Sequence, residues 1–316
     1  MRTQELSPAQ VEAVRNLARD VETDDGVAAF DEDTLLTLTR PGRPRYLIPG
    51  GDGAAQGRDG DTDDADDVLA GFAQVGQDSA EIAVHPQFRR RGLGSALVRT
   101  VLADYPMVRL WAHGNLPGAR ATAAAHDLVV VRELWRMGRP SPQRAQIEPV
   151  VVPEDLRIRT FEVGADEDAW LQVNARAFAD HPEQGRLDHA DLRARQQQDW
   201  FDPTTFWLAE DTGSGELLGS MWVKITDDDG GARTGEIYAL GVDPAAQGRG
   251  VGTVLTAVAM DHFARTGPDR LELYVEGDNA AAISTYRRVG FERDAIHVQY
   301  TATTSPDRER PATIGP

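Results

Sequence analysis

Two stretches of this 316-residue sequence set arginines beside closely spaced glycines where a strand would turn into a helix. The first runs Val84-His85-Pro86-Gln87-Phe88-Arg89-Arg90-Arg91-Gly92-Leu93-Gly94-Ser95; the second runs Val242-Asp243-Pro244-Ala245-Ala246-Gln247-Gly248-Arg249-Gly250-Val251-Gly252-Thr253. They align without a gap and keep Val, Pro, Arg, Gly and Gly in register. Such a segment is an anion cradle: the unpaired N–H groups of a helix start point outward, the helix dipole favours negative charge there, and glycine lets a phosphate approach the backbone. A Walker loop is excluded because no Gly-Lys-Ser/Thr follows, and Rossmann spacing fails because the third glycine falls one residue early. A single copy would fit equally well a helix start that glycine merely permits. Duplication within the same strand-turn-helix order favours phosphate.

Other chemistries are closed off by composition. There is no cysteine, so disulfides, thiolate metal sites and a cysteine nucleophile are out, and any thiol arrives with a ligand. His85, His113, His126, His181, His189, His262 and His297 form no His-Glu-x-x-His pattern or other close metal spacing, so no metal is expected. A formal charge of -18 repels polyphosphate and anionic lipid, which argues against nucleic-acid or membrane partners. No apolar run approaches the roughly 20 residues of a membrane span. The opening MRTQELSPAQ lacks a secretory apolar stretch, and the cytoplasm is the expected compartment.

The elements that must carry the cradles repeat once along the chain. Ser7 and Pro8 can start an amphipathic helix whose Val11, Val14, Leu17 and Val21 share one face. An acidic stretch from Asp52 to Asp67, with seven aspartates among glycines, reads as a disordered loop without a role. Strands follow at 68–75 and 80–84, then a helix at 92–103, a strand at 108–112, a helix at 120–125 and a strand at 129–136. The prolines at 140, 142, 149 and 153 mark a linker. The second half has strands at 157–161, 206–210, 217–225, 236–242, 271–275 and 296–300, with helices at 166–178, 187–200, 250–264 and 280–288. Two domains result, 1–145 and 154–305, each near the size of a typical core, with a tail at 306–316.

VHPQFRRRGLGSAL and VDPAAQGRGVGTVL resemble the pyrophosphate-binding motif of the GNAT superfamily of N-acetyltransferases, and YVEGDNAAAISTYRRVGF resembles its second signature. Further stretches, among them DGVAAFDE, WAHGNLPGARATA, NARAFADHPEQG and WFDP, look like a two-domain branch of that superfamily over nearly the full length. The resemblance implies an α/β fold of tandem GNAT domains, each a mixed central β-sheet flanked by helices, with acetyl-CoA as cosubstrate. It implies cofactor contacts at Ile82, Ala83, Val84, Arg90, Arg91, Gly92, Leu93, Gly94 and Ser95 in the first copy. In the second it implies Leu240, Gly241, Val242, Gln247, Gly248, Arg249, Gly250, Val251, Gly252, Thr253 and Asn279.

Amide formation from a thioester needs a base, oxyanion donors and an acid for the thiolate. The resemblance assigns these to Glu236, the backbone N–H of Leu240 on a bulged strand, and Tyr286. It further implies that the acceptor is a small thiol-bearing glycoside, cysteinyl-glucosaminyl-inositol, met by Glu32, Glu183, Lys224, Glu236 and Tyr274. A monomer is expected. In the first copy Ala123 falls opposite Tyr286 and Asp78 opposite Glu236, so that copy is expected to bind without turnover. Acetylation of another amine, or noncatalytic acetyl-CoA sensing, are the competing readings.

Overall fold

The computed structural model describes residues 1–50, 68–144, 147–179, 181, 184–227 and 231–303. The acidic stretch 52–67, Glu183 and the tail therefore lie outside the described residues. In chain order the strands and helices are β1 (Arg2–Thr3), α1 (Pro8–Asp25), α2 (Glu32–Leu36), β2 (Arg45–Pro49), β3 (Leu69–Val75), β4 (Ser79–Val84), α3 (Leu93–Asp104), β5 (Arg109–Ala112), α4 (Pro117–Ala125) and β6 (Leu128–Pro140). There follow β7 (Leu156–Thr160), α5 (Glu167–Ala177), α6 (His189–Gln196), β8 (Phe206–Asp211), β9 (Leu217–Asp227), β10 (Arg233–Val242), α7 (Val251–Thr266), β11 (Arg270–Glu276), α8 (Ala280–Arg288) and β12 (Glu292–Ala302).

Contacts divide the chain into two units, Met1–Glu133 with the segment from Ile296, and Leu134–Ala295. The sequence halves and these units differ in one respect. Residues 134–140 of β6 pair with β11 in the second unit, and Val298–Tyr300 of β12 pair with β5 in the first. The closing strand of each half thus completes the other unit's sheet.

In the first unit the strands run β1, β2, β3, β4, β5, β12, with only β4 and β5 parallel. On one face Val11, Val14, Leu17 and Val21 of α1 pack on Leu47, Leu69, Phe72 and Ala83. On the other, Leu97, Val98 and Val101 of α3 pack on Ala73, Ala80 and Leu110. A capping box starts α1: Gln10 N donates to Ser7 Oγ at 3.2 Å and Ser7 N to Gln10 Oε1 at 3.0 Å, satisfying donors that a helix start leaves open. Arg45 is fully buried; its guanidinium donates to the carbonyls of Gln4, Thr37 and Arg40 and to Gln74 Oε1. Sequence pattern missed α2 and β2, both too short to show a period, and the helix expected over 187–200 is confined to His189–Gln196.

In the second unit the order is β6, β11, β10, β9, β8, β7, with β10 and β11 the parallel pair. Helices α7 and α8 cover one face through Val254, Leu255, Ala259, Phe263, Ile283 and Tyr286. Opposite, α5 and α6 send Trp170 and Leu192 onto Phe161, Phe206 and Trp222. Phe161, Phe206 and Trp222 form a stack with ring centroids 4.5 Å apart at each step. Both faces bury large apolar side chains, so losing one leaves a cavity. Phe263→Ala should cost about 3–5 kcal/mol, read as a lower urea midpoint with an unchanged slope.

Candidate active site

Each cradle is a short turn between a strand end and a long helix. After β10, Asp243 Oδ1 accepts from Ala245 N at 2.9 Å and Asp243 Oδ2 from Arg176 Nε at 2.7 Å. These contacts, the backbone one foremost, hold the Asp243 carboxyl below its ordinary value. The chain then passes through Gly248 (φ +83°) and Gly250 (φ +77°), a left-handed conformation that glycine adopts without strain. No side chain caps the α7 start at Gly250, and a Cβ at either glycine would meet nothing within 4 Å. The space over the open N–H groups is therefore clear for an anion.

The first unit repeats this backbone with one substitution. Gly92 (φ +80°) starts α3 as Gly250 starts α7, whereas the partner of Gly248 is Arg90, at φ +62°. A side chain there costs on the order of 1 kcal/mol, so the turn is kept against its local preference. The other arginines are tethered. Arg249 reaches Asp155 at 2.7 Å and Asp211 at 2.8 Å. Arg89 binds Asp25 and Asp24, and the Arg91 guanidinium lies 5.3 Å from the Phe88 ring centroid.

Beside the second cradle the sheet opens. β10 pairs with β11 only from Thr234↔Arg270 to Ile237↔Leu273, although β10 continues to Val242 and β11 to Glu276. On its other edge β10 stays paired with β9 to Val242, but the register shifts between Ile237 and Ala239. The bulge therefore falls at Tyr238, on the strand that carries Leu240. Leu240, Gly241 and Val242 lie beyond it, on the stretch that has left β11.

On the α5 and α6 face, next to this opening, Lys224 Nζ lies 3.1 Å from Glu236 Oε2, both side chains 14% exposed. Nζ also stands 4.8 Å from the Tyr238 ring centroid and 5.1 Å from that of Trp200, and Arg195 Nε donates to the Tyr238 hydroxyl at 2.8 Å. Glu272 is the direct β11 partner of Glu236. Tyr274 follows two residues later; desolvation and then the Glu236 and Glu272 charges raise its hydroxyl well above the ordinary phenol value. Across the sheet Tyr286 is buried among the α7 and α8 core residues. Burial pushes its hydroxyl up to about 12, and that hydroxyl has no hydrogen-bond partner among the described residues. A neutral, unengaged phenol is a competent proton donor. Asn279 caps α8, its Oδ1 accepting from Ala282 N at 3.0 Å.

The corresponding opening in the first unit is filled. β4 and β5 pair only at Ser79 and Ala80, and the next residue, Glu81, meets His113 Nε2 at 2.5 Å. Glu81 also accepts from the backbone N–H of Asp31 at 2.9 Å, while His113 Nδ1 lies 3.1 Å from His297 Nδ1 and Trp111 stacks on the His113 ring. No bulge interrupts β4 against β3. Asp78 lies ahead of β4, its carbonyl accepting from Arg109 N, and Ala123 is buried in α4.

A model of the acetyltransferase (GNAT) family matches residues 62–117 and 170–291. A mycothiol acetyltransferase of Kytococcus sedentarius is 42% identical over 301 residues, covering 94% of this chain and 95% of that relative. One from Thermobifida fusca is 45% identical over 320 residues, covering 94% and 96%. The chain belongs to the mycothiol acetyltransferases of the GNAT family. Among solved structures, a GCN5-related N-acetyltransferase from Sphaerobacter thermophilus (TM-score 0.63, 23% identity, 95% and 94% covered) shares the fold. So does a tandem GNAT protein from the clavulanic acid pathway (TM-score 0.63, 19% identity, 93% and 94% covered). The protein is thus an acyltransferase with two α/β GNAT domains.

Of the residues singled out from the sequence, Lys224, Glu236 and Tyr274 stand together on one face of the second unit, with Leu240 to Val242 on the adjoining opened strand. Tyr286 stands on the opposite face. Glu32 lies in the first turn of α2. The buried group of Asp31, Glu81, His113 and His297 was missed, because its members are spread from residue 31 to residue 297 and no short pattern joins them. Burial, then the charge of Glu81, lifts the Asp31 carboxyl to about 7. Burial works against a charged His113, but Glu81 outweighs it and raises that group too. Both folded-state values lie above the unfolded ones, so the folded unit keeps protons that the unfolded chain releases, and stability falls as pH rises through this range. Asp31→Asn, which mimics the protonated acid, should remove on the order of 2 kcal/mol of that fall between pH 5 and pH 8, measured by urea unfolding at both values.

Proposed function

We propose that the second unit transfers the acetyl group of acetyl-CoA to the cysteinyl amine of cysteinyl-glucosaminyl-inositol, giving mycothiol and CoA. Near-complete coverage of relatives described as mycothiol acetyltransferases carries the choice of reaction and acceptor. The opened strands beside a clear anion cradle support the choice of unit.

The residues present fit the cosubstrate. Gln247, Gly248, Arg249, Gly250, Val251, Gly252 and Thr253 would hold its diphosphate at the α7 start, with Arg249 exchanging an aspartate contact for a phosphate. A cavity of about 520 Å³ flanking α8, lined in part by Trp135, Ser284, Arg287 and Arg288, offers two cations to the nucleotide end. Asn279 keeps α8 seated beside the acyl chain. When bound, acetyl-CoA supplies the activated acyl group as a thioester.

The chain's own groups divide the remaining work. Glu236, directly or through a water, removes the proton from the acceptor ammonium. Lys224 orients that carboxylate and, with Tyr274 and Glu183, provides hydrogen bonds for a polyhydroxylated acceptor. The backbone N–H of Leu240, on the strand freed past the bulge, faces the negative charge that develops on the acetyl oxygen. Tyr286 gives its proton to the departing sulfur; with a pKa near 12 it holds that proton throughout the neutral range.

The first unit, by this reading, binds acetyl-CoA through Ile82, Ala83, Val84 and the turn from Arg90 to Ser95 but does not turn it over. Glu81 and His113 occupy the place of the acceptor, and Ala123 has no proton to give. We place the enzyme in the cytoplasm, acting as a monomer on a small thiol glycoside.

CoA release with acetyl-CoA and a panel of amines tests this directly. The cysteinyl glycoside should be preferred; equal rates with unrelated amines would reject the acceptor. Tyr286→Phe and Glu236→Gln should each lower kcat by about 10²-fold or more, while equilibrium binding of acetyl-CoA at the first unit stays intact. Unchanged turnover in Tyr286→Phe would remove that residue from the mechanism.

A further inference from the structure

The opening between β10 and β11 is spanned on the α5 and α6 face by described residues of the α5–α6 connection. On the β10 side, the end of α5 sits directly on Gly241: a Cβ there would come within 3.0 Å of Phe178 Cε2 and 3.2 Å of Ala177 Cβ. On the β11 side, His181 Nε2 lies 3.3 Å from Glu276 Oε1. Between these points the connection is stitched to α5. His181 N donates to Phe178 O at 2.9 Å, Asn174 Nδ2 donates to Gln184 O at 2.6 Å, and Gln184 Nε2 donates to Asn174 Oδ1 at 3.0 Å.

The imidazole is held in one tautomer. Gln184 N donates to His181 Nδ1 at 3.1 Å, so Nδ1 is an acceptor and the ring proton is on Nε2, the nitrogen that lies 3.3 Å from Glu276 Oε1. Glu276 is anchored in turn, since its carbonyl accepts from Asn279 N at 3.0 Å and Asn279 caps the helix that carries Tyr286. Glu272, Tyr274 and Glu276 alternate along β11 and therefore share a face, the face on which Glu236 lies.

We propose that His181 is a positioning residue: the polar contact of its Nε2 with Glu276 holds this part of the α5–α6 connection against the end of β11, fixing the acceptor side of the site. This rests on the function proposed above. The contact joins groups on the acceptor face, while the diphosphate turn belongs to the start of α7. Its loss therefore falls mainly on acceptor binding.

Steady-state kinetics of four variants tests the assignment, with thermal melting confirming that each is folded. His181→Ala and Glu276→Ala should raise KM for the cysteinyl glycoside about tenfold, the loss of one polar contact to a carboxylate, with KM for acetyl-CoA changed less than twofold. His181→Gln, whose amide nitrogen occupies the Nε2 position, should recover most of the acceptor KM; His181→Asn, which matches only Nδ1, should not. Rescue by Asn as good as by Gln, or an unchanged acceptor KM in His181→Ala, would overturn the proposal. If the wild-type protein releases no CoA with this glycoside, the proposed acceptor falls instead, and the same KM comparison is made with the amine that does turn over.

Discussion

Parting two parallel strands is costly, because each backbone N–H and C=O that leaves the ladder needs another partner or access to solvent. The second unit accepts that cost at one place, where β10 and β11 separate after Ile237 and Leu273. The rest of the site is arranged around this break. The bulge at Tyr238 turns the freed strand without breaking its ladder to β9. α7 begins where β10 ends, which brings an uncapped helix start to the mouth of the opening. Glu236 sits at the last paired rungs, and Tyr286 approaches from the opposite face. An amine and a thioester delivered from the two faces of one sheet can meet only where that sheet has a gap.

The first unit shows the same topology with side chains set across the break. Its cradle remains so faithful that Arg90 keeps the left-handed backbone of Gly248. Its strand has no bulge, and a carboxylate and an imidazole fill the gap. Turn geometry and strand geometry are thus separable in this fold: the former resides in a few residues before a helix start, the latter in a strand irregularity and in side chains from distant elements. Electrostatics follow the same division. In a chain of net charge -18, Arg89 and Arg249 are held by aspartates, which limits the cationic field to the turns themselves.

The parts legible from sequence were those set by local rules. Paired glycines with φ near +80°, the Ser7 capping box, the amphipathic face of α1 and most strands are encoded within a few residues. The likeness of YVEGDNAAAISTYRRVGF to a known signature pointed to Asn279 and Tyr286. The resemblance implied a bulged strand near Leu240 but not the rung, and the bulge lies at Tyr238, because which rung is skipped depends on pairing with β9. The Glu81–His113–His297 group and the His181–Glu276 contact were illegible for a related reason: partners up to 184 residues apart meet only through strand order. Membership of β6 and β12 was equally hidden, since either strand pattern suits either sheet.

That exchange of closing strands bears on how the protein is made. A ribosome delivers the first unit's β1 to β5 long before Val298–Tyr300, the β12 residues that border β5 in the whole chain. Until β12 arrives, the strand at hand to cover the Leu110, Trp111 and Ala112 edge is the half's own β6, which in the whole chain pairs with β11. The finished arrangement thus requires each sheet to take the closing strand of the other half in place of its own.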